Sequence, residues 1–286
     1  MAQTDAHPLD PRTISPEGAE EPPLTIDITD GVAFVRLNRP TRMNALTSPM
    51  RRGLIDAFTT LPREARAIVY TGVGRAFCAG QDLTDRSGAA REASNTGTAA
   101  DVDLERSLSE EYEPMIKLIT ECPVPTVAAV NGVAAGAGAN LALAADIVIA
   151  AQSASFIQAF ARIGLLPDAG GTFWLPRLVG HARAMGLSLL AEPLDAPRAA
   201  DWGLIWEVVP DDALEAHVIA LARRLATGPT VAYKLAKEAL RASAANGLEQ
   251  QLALEAKLQG QAGKTRDFAE GVLAFLEKRP PRFEGR

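Results

Sequence analysis

Residues 24–38, LTIDITDGVAFVRLN, alternate apolar and polar positions on either side of a TDG turn, the period-two pattern of a β-hairpin. The period changes at 47–61 (TSPMRRGLIDAFTTL), where apolar residues fall at helical spacing, Thr47 or Ser48 offers an N-cap and Pro49 suits the first turn. A continuous apolar strand follows at 67–72 (AIVYTG). Further on, the pattern predicts a helix near 103–121, a strand at 125–132, a helix from about Gly138 and a strand at 146–151. Strands and helices that alternate in this way build an α/β layer. From Gly180 onward the chain reads as mostly helical, with long Ala-rich amphipathic segments at 211–227, 229–246 and 248–262. No repeat of fixed period is present. The expected organisation is an N-terminal arm at 1–23, an α/β core at 24–210 and a helical C-terminal region at 211–286.

Two stretches carry too little apolar surface to pack. The opening 23 residues are polar, Pro-rich and net acidic, without the charged-then-apolar layout of a signal peptide, and read as a disordered or draped arm. Residues 85–102 are rich in Ala, Ser, Gly, Thr and charge and read as a mobile loop. The opposite extreme is the apolar run 126–151, where Gly132 and Gly136 make a GxxxG and a membrane span has to be considered. Asn131, Asn140 and Asp146 interrupt it and its Ala content is too high for strong insertion, so a buried strand–turn–helix is expected and no membrane partner.

With 286 residues and 47% hydrophobic content the chain describes an ordinary globular protein. A net charge of −6 gives no basic footprint, which argues against a nucleic-acid partner. Cys78 and Cys122 form neither a disulfide framework nor a CxxC or Cys/His metal spacing, which fits reduced thiols in a cytoplasmic protein.

Three places are built for chemistry. The loops CAGQD (78–82) and GVAAGAGAN (132–140) each set small residues after a buried strand, so a ligand can approach the backbone. In the second, the N–H groups of Gly136, Ala137 and Gly138 lie at the positive end of a helix and suit an oxyanion. A dinucleotide fingerprint is incomplete there, because Leu141 occupies the third glycine position. The third place is Asp168, in GLLPDAGGT (164–172), a carboxylate surrounded by Leu165, Leu166, Phe173, Trp174 and Leu175. It can be a cap for the helix beginning near Thr172, or a perturbed carboxylate in an apolar cleft. Tyr112 and Glu113 are candidates to line the same cleft, and Trp174, Trp202 and Trp206 read as core or pocket wall. His7, His181 and His217 have no nucleophile beside them, and no triad or GxSxG is present.

The blocks RPTRMNALT (39–47), GRAFCAGQDL (74–83), AVNGVAAGAGANLALAADIVIAA (129–151) and GLLPDAGGTFWLPRLVG (164–180) together resemble the crotonase (enoyl-CoA hydratase/isomerase) superfamily, from about Leu24 to the end of the chain. The resemblance implies an α/β crotonase (ClpP-like) fold, a spiral of ββα units with a helical C-terminal trimerisation region, assembled as a homotrimer or homohexamer. It implies an acyl-CoA substrate and no metal or redox cofactor, coenzyme A arriving as part of the substrate thioester. An oxyanion hole falls on the N–H groups of Ala79 and Ala137. Arg42 falls near the coenzyme A phosphates, Gly80, Gln81 and Asp82 continue the acyl-CoA loop, and Asn140 joins the substrate-binding set.

Hydratases of this family use two glutamates, whose positions here are Asn140 and Phe160. Neither can carry a proton for hydration. Asp168 stands where hydratases commonly carry Gly, and desolvation there is expected to raise its pKa toward that of a general base. Finer detail in FCAGQDL, LPDAGGT and the ending AFLEKRPPRFEG resembles the subgroup of ring-1,2-epoxyphenylacetyl-CoA isomerases of phenylacetate catabolism. The expected activity is therefore isomerisation of an acyl-CoA by one Asp and a backbone oxyanion hole. A Δ3,Δ2-enoyl-CoA isomerase, an enoyl-CoA hydratase on aliphatic chains and a non-catalytic acyl-CoA-binding member are the alternatives.

Overall fold

Strands β1 (Leu24–Thr29) and β2 (Val32–Leu37) pair antiparallel across Asp30 and Gly31, which both take positive φ (53° and 74°) as a tight hairpin turn requires. The computed structural model describes residues 22–83 and 103–286. The expected arm at 1–23, apart from Pro22 and Pro23, and the expected mobile loop at 85–102 lie outside the described residues.

Beyond the hairpin, β3 (Ala67–Gly72), β5 (Thr126–Val130), β7 (Ile147–Ala151) and β10 (Glu207–Val209) add in parallel to give a six-stranded sheet of order β1-β2-β3-β5-β7-β10. Every residue of β3 and β5 is buried, as expected of central parallel strands covered on both faces. A second sheet of order β4-β6-β8-β9 is built from β4 (Ala76–Cys78), β6 (Val133–Ala135), β8 (Ser155–Ile157) and β9 (Leu194–Asp195). The strand expected at 125–132 is β5 and ends at Val130, because Asn131 and Gly132 carry the chain across to the second sheet, where β6 begins at Val133. A Cβ on Gly132 would lie 2.2 Å from the Arg75 carbonyl oxygen, so the crossing strands touch backbone to backbone.

Each strand pair delivers the chain to a helix. After β1 and β2 comes α1 (Ser48–Thr60), capped by Thr47. After β3 and β4 come α2 (Leu104–Ser107), a π-helical turn (Leu108–Tyr112) and α3 (Glu113–Thr120). β5 and β6 lead to α4 (Ala137–Leu143), and β7 and β8 lead to α5 (Gly171–Val179). This is the expected spiral of ββα units, and it places the loops after β4 and β6 side by side in the second sheet.

α6 (His181–Leu190) and α7 (Ala196–Asp201) precede the C-terminal helices α8 (Leu214–Ala226), α9 (Thr230–Ala242), α10 (Leu248–Ala262) and α11 (Arg266–Glu277). α8 buries Leu214, Val218, Ile219, Ala222 and Ala226 in the main core. Lys237 fastens α9 by donating to the carbonyls of Cys122 (2.7 Å) and Val124 (2.9 Å) while pairing with Asp146. No helix among the described residues is long and apolar enough to cross a membrane.

Candidate active site

The turn after β2 prepares one wall of the site. Met43 and Asn44 adopt positive φ (48° and 55°), and the buried Asn44 amide donates to the carbonyls of Val73 (3.0 Å) and Ala76 (2.8 Å) while accepting from Arg39 N–H (2.9 Å). With the turn pinned, Leu46 bridges the 79–82 loop: Leu46 N–H donates to the Gly80 carbonyl (2.7 Å) and Asp82 N–H to the Leu46 carbonyl (3.1 Å). In that pattern the N–H of Gln81 points away from Leu46. No backbone carbonyl among the described residues takes it up.

This geometry corrects the expectation for Ala79. Its N–H is donated to the Met43 carbonyl at 2.9 Å and is closed to a ligand, whereas the open donor lies two residues on, at Gln81. The reason is tertiary, because only the folded turn brings Met43 beneath Ala79. The other expected donor, Ala137, is the first residue of α4, so its N–H has no carbonyl within the helix. The two loops meet at Gly80 (φ +89°), where an added Cβ would lie 2.7 Å from the Ala135 carbonyl and 3.4 Å from Ala137 N. Glycine therefore keeps both the backbone shape and the space in front of the Ala137 amide.

Facing these amides is a cavity of about 790 Å³ whose lining includes Gln81, Tyr112, Ala137, Phe160, Leu166 and Asp168. Its outer wall is apolar and open, with Ile163 52% and Leu166 70% exposed. Asp168 also borders a neighbouring cavity of about 730 Å³, together with Tyr112, Phe173 and Trp174. Its Oδ1 is closed to solvent. The Asp168 carbonyl accepts from Gly171 N–H (2.8 Å) and from Asn140 Nδ2 (2.8 Å), which fixes the turn that carries the carboxylate. Ala169 (φ +47°) and Gly170 (φ +86°) complete the turn, and a Cβ on Gly170 would strike Trp174 Nε1 at 2.5 Å.

Other expected contacts move out of the cavity. Asn140 is fully buried and exchanges amide hydrogen bonds with Gln158 (3.3 and 2.9 Å), so it supports Asp168 from behind instead of touching substrate. Asp82, 4% exposed, is paired with Arg39 at 2.8 Å and braces the loop. Arg42 is exposed on the turn Pro40–Arg42 and does not line the cavity. Glu113, paired with Lys117 (2.5 Å), lines the neighbouring cavity beside Asp168 but not the larger one, and His217 lies against Glu207 (3.0 Å).

Sequence reasoning missed a buried cluster beside Gln81. Arg51, 3% exposed, donates through Nη1 to the Leu46 carbonyl (3.0 Å) and to Gln81 Oε1 (3.1 Å), and through Nε to Glu111 (2.5 Å). The Tyr112 hydroxyl donates to the same Gln81 Oε1. Partial burial alone would raise the Glu111 carboxyl, but hydrogen bonds from Ser48 and Arg51 and the charges of Arg51 and Arg52 outweigh it and hold the group below the usual range. Burial pushes the Tyr112 phenol up, against the pull of Arg51 and helped by the charge of Asp168, so the hydroxyl stays a donor. Burial likewise pushes the Cys78 thiol up to about 12, which leaves it a packing residue and not a nucleophile.

An apolar cavity with two backbone donors on one wall and a carboxylate on another defines an α/β site of the kind that activates a carbonyl group. The enoyl-CoA hydratase/isomerase family profile matches residues 27–286, and the chain belongs to that family. It is 58% identical to a Rhodobacter capsulatus protein named probable enoyl-CoA hydratase, over 92% of this chain and 98% of the relative. It is 46% identical to the 1,2-epoxyphenylacetyl-CoA isomerase of Escherichia coli K12, over 91% of this chain and 97% of the relative. The crystal structure of an enoyl-CoA hydratase from Bacillus anthracis superposes with a TM-score of 0.85 at 33% identity, covering 92% of this chain and all of the other.

Proposed function

We propose that the chain isomerises an acyl-CoA thioester, with 2-(1,2-epoxy-1,2-dihydrophenyl)acetyl-CoA as the substrate and the seven-membered oxepin thioester as the product. The observation that supports the reading is that Asp168, Gln81 and Ala137 line one apolar cavity. The amides of Gln81 and Ala137 hold the thioester oxygen, and losing one such donor typically costs about 10²–10³ in rate. As the bond between the two epoxide carbons breaks and its electrons redistribute over the ring diene, the six-membered ring opens to the seven-membered oxepin. The Asp168 carboxylate takes a proton from the methylene beside the thioester or steadies charge that develops there, the amides hold the resulting enolate, and the proton returns at a ring carbon. No second acid is required for such a shift. Asn140 and Phe160 stand where hydration would need titrating groups, which supports isomerisation over the addition of water.

The same reading needs no metal or redox cofactor, since coenzyme A enters with the substrate. Arg42 is exposed on the turn that holds Ala79 and is offered to the coenzyme A phosphates. The protein works in the cytoplasm as a homotrimer or homohexamer.

Supplying the epoxide thioester and a 3-enoyl-CoA while following ultraviolet absorbance tests the proposal. Rapid consumption of the epoxide is expected. Preference for the 3-enoyl thioester would reassign the substrate, and indifference to both would overturn the isomerase reading.

A further inference from the structure

Resting on the reading of Gln81 N–H as an oxyanion donor, we infer that Arg51 and Tyr112 are positioning residues which aim that donor by gripping the Gln81 side chain. A backbone amide can be turned by rotation about the bonds on either side of it. At Gln81 both sides are held. Leu46 takes the Gly80 carbonyl and the Asp82 amide, which fixes one edge of the loop. On the other edge the Gln81 carboxamide oxygen accepts from both Arg51 Nη1 (3.1 Å) and the Tyr112 hydroxyl, while its nitrogen donates to the Asp82 carbonyl (3.3 Å).

The grip is itself anchored. The Arg51 guanidinium lies 4.8 Å from the centre of the Tyr112 ring and within 3.4 Å of its hydroxyl, and Glu111 neutralises it. Burying a guanidinium this deeply is costly unless it is paired and fully hydrogen-bonded, so neutral packing would be the simpler solution if the space needed only filling. The π-helical turn Leu108–Tyr112 supplies the geometry: its wider winding lets two consecutive residues, Glu111 and Tyr112, both reach Arg51 of α1. Tyr112 also lines the substrate cavity beside Asp168, so the grip joins the two walls of the site.

Infrared difference spectroscopy on phenylacetyl-CoA labelled with ¹³C at the thioester carbonyl reads the donor directly, since a well-aimed N–H lowers the bound carbonyl frequency. The whole protein, Tyr112→Phe and Gln81→Met are compared, each checked for native folding by circular dichroism, and the exchange of the probe's methylene protons with deuterated solvent is timed alongside. Each variant removes one side of the contact and keeps the backbone amide, so either one that folds decides the matter.

Both variants are expected to lose about half of the carbonyl shift and to exchange about 10-fold more slowly at saturation, with half-saturation unchanged within about two-fold. The double variant should be no worse than Gln81→Met alone, which already removes both the Arg51 and the Tyr112 contact. A full carbonyl shift retained in the variants, or weaker binding with an unchanged band, would reduce Tyr112 to a wall residue and overturn the inference. Absence of any shift in the unsubstituted protein would instead overturn the oxyanion reading on which it rests.

Discussion

Asp168 owes its placement to a residue that never meets the cavity. Asn140 holds the Asp168 carbonyl at 2.8 Å and is locked in turn by Gln158, so replacing it by Leu would leave that carbonyl with Gly171 N–H alone and strand the buried Gln158 amide. Asn140→Leu is expected to cost about 1–3 kcal/mol in chemical denaturation and to slow turnover while acyl-CoA still binds, because the substrate's own contacts are untouched. At this scale the sequence tells which residues carry chemistry better than where they point. Asp168 stands out because Thr172 is the only other polar side chain in GLLPDAGGTFWL. Ala79 could not be told from Gln81, since which amide stays open depends on Met43 arriving from a turn 36 residues earlier. Asn140 and Asp82 sit in motif positions, yet each faces an internal partner that only the folded chain supplies.

Long elements were legible and short ones were not. The strand at 67–72 matches β3 residue for residue, because a strand covered on both faces needs an unbroken apolar run. The three-residue strands β4, β6 and β8 are too short to show a period, so the second sheet that carries the site's loops had no signature. The π turn at Leu108–Tyr112 was likewise invisible inside one continuous helical pattern. Among the C-terminal helices, α9 is attached through polar anchors: Lys237, whose side chain is 11% exposed, Arg241, which donates to the Thr120 carbonyl (2.6 Å), and Thr230, which accepts from Arg66 (3.1 Å). Lys237→Met removes two charged hydrogen bonds and leaves Asp146 without its cation. Denaturant unfolding is expected to show a loss of about 2–3 kcal/mol, with the ββα core retaining its far-ultraviolet signal longest.

At the scale of the whole molecule, the apolar surface of α11 asks for a cover. Phe268 (54%), Phe275 (83%) and Leu276 (71%) are exposed on one chain, and Leu165 and Leu166 at the cavity wall are open as well. Contiguous apolar surface of this kind marks an interface, and the proposed trimer or hexamer would cover it. Light scattering is expected to give three or six times the 30.3 kDa chain mass, and a 30.3 kDa particle would contradict that assembly. Proton exchange reports whether the Asp168 carboxylate meets the acyl group held by the two backbone donors. Phenylacetyl-CoA is incubated with the protein in deuterated water and its methylene signal is followed by NMR. The signal is expected to disappear with the protein as it stands and to survive at least about 10²-fold longer with Asp168→Asn, which still binds the thioester. Exchange that proceeds equally in both proteins, or in neither, would contradict that role of Asp168.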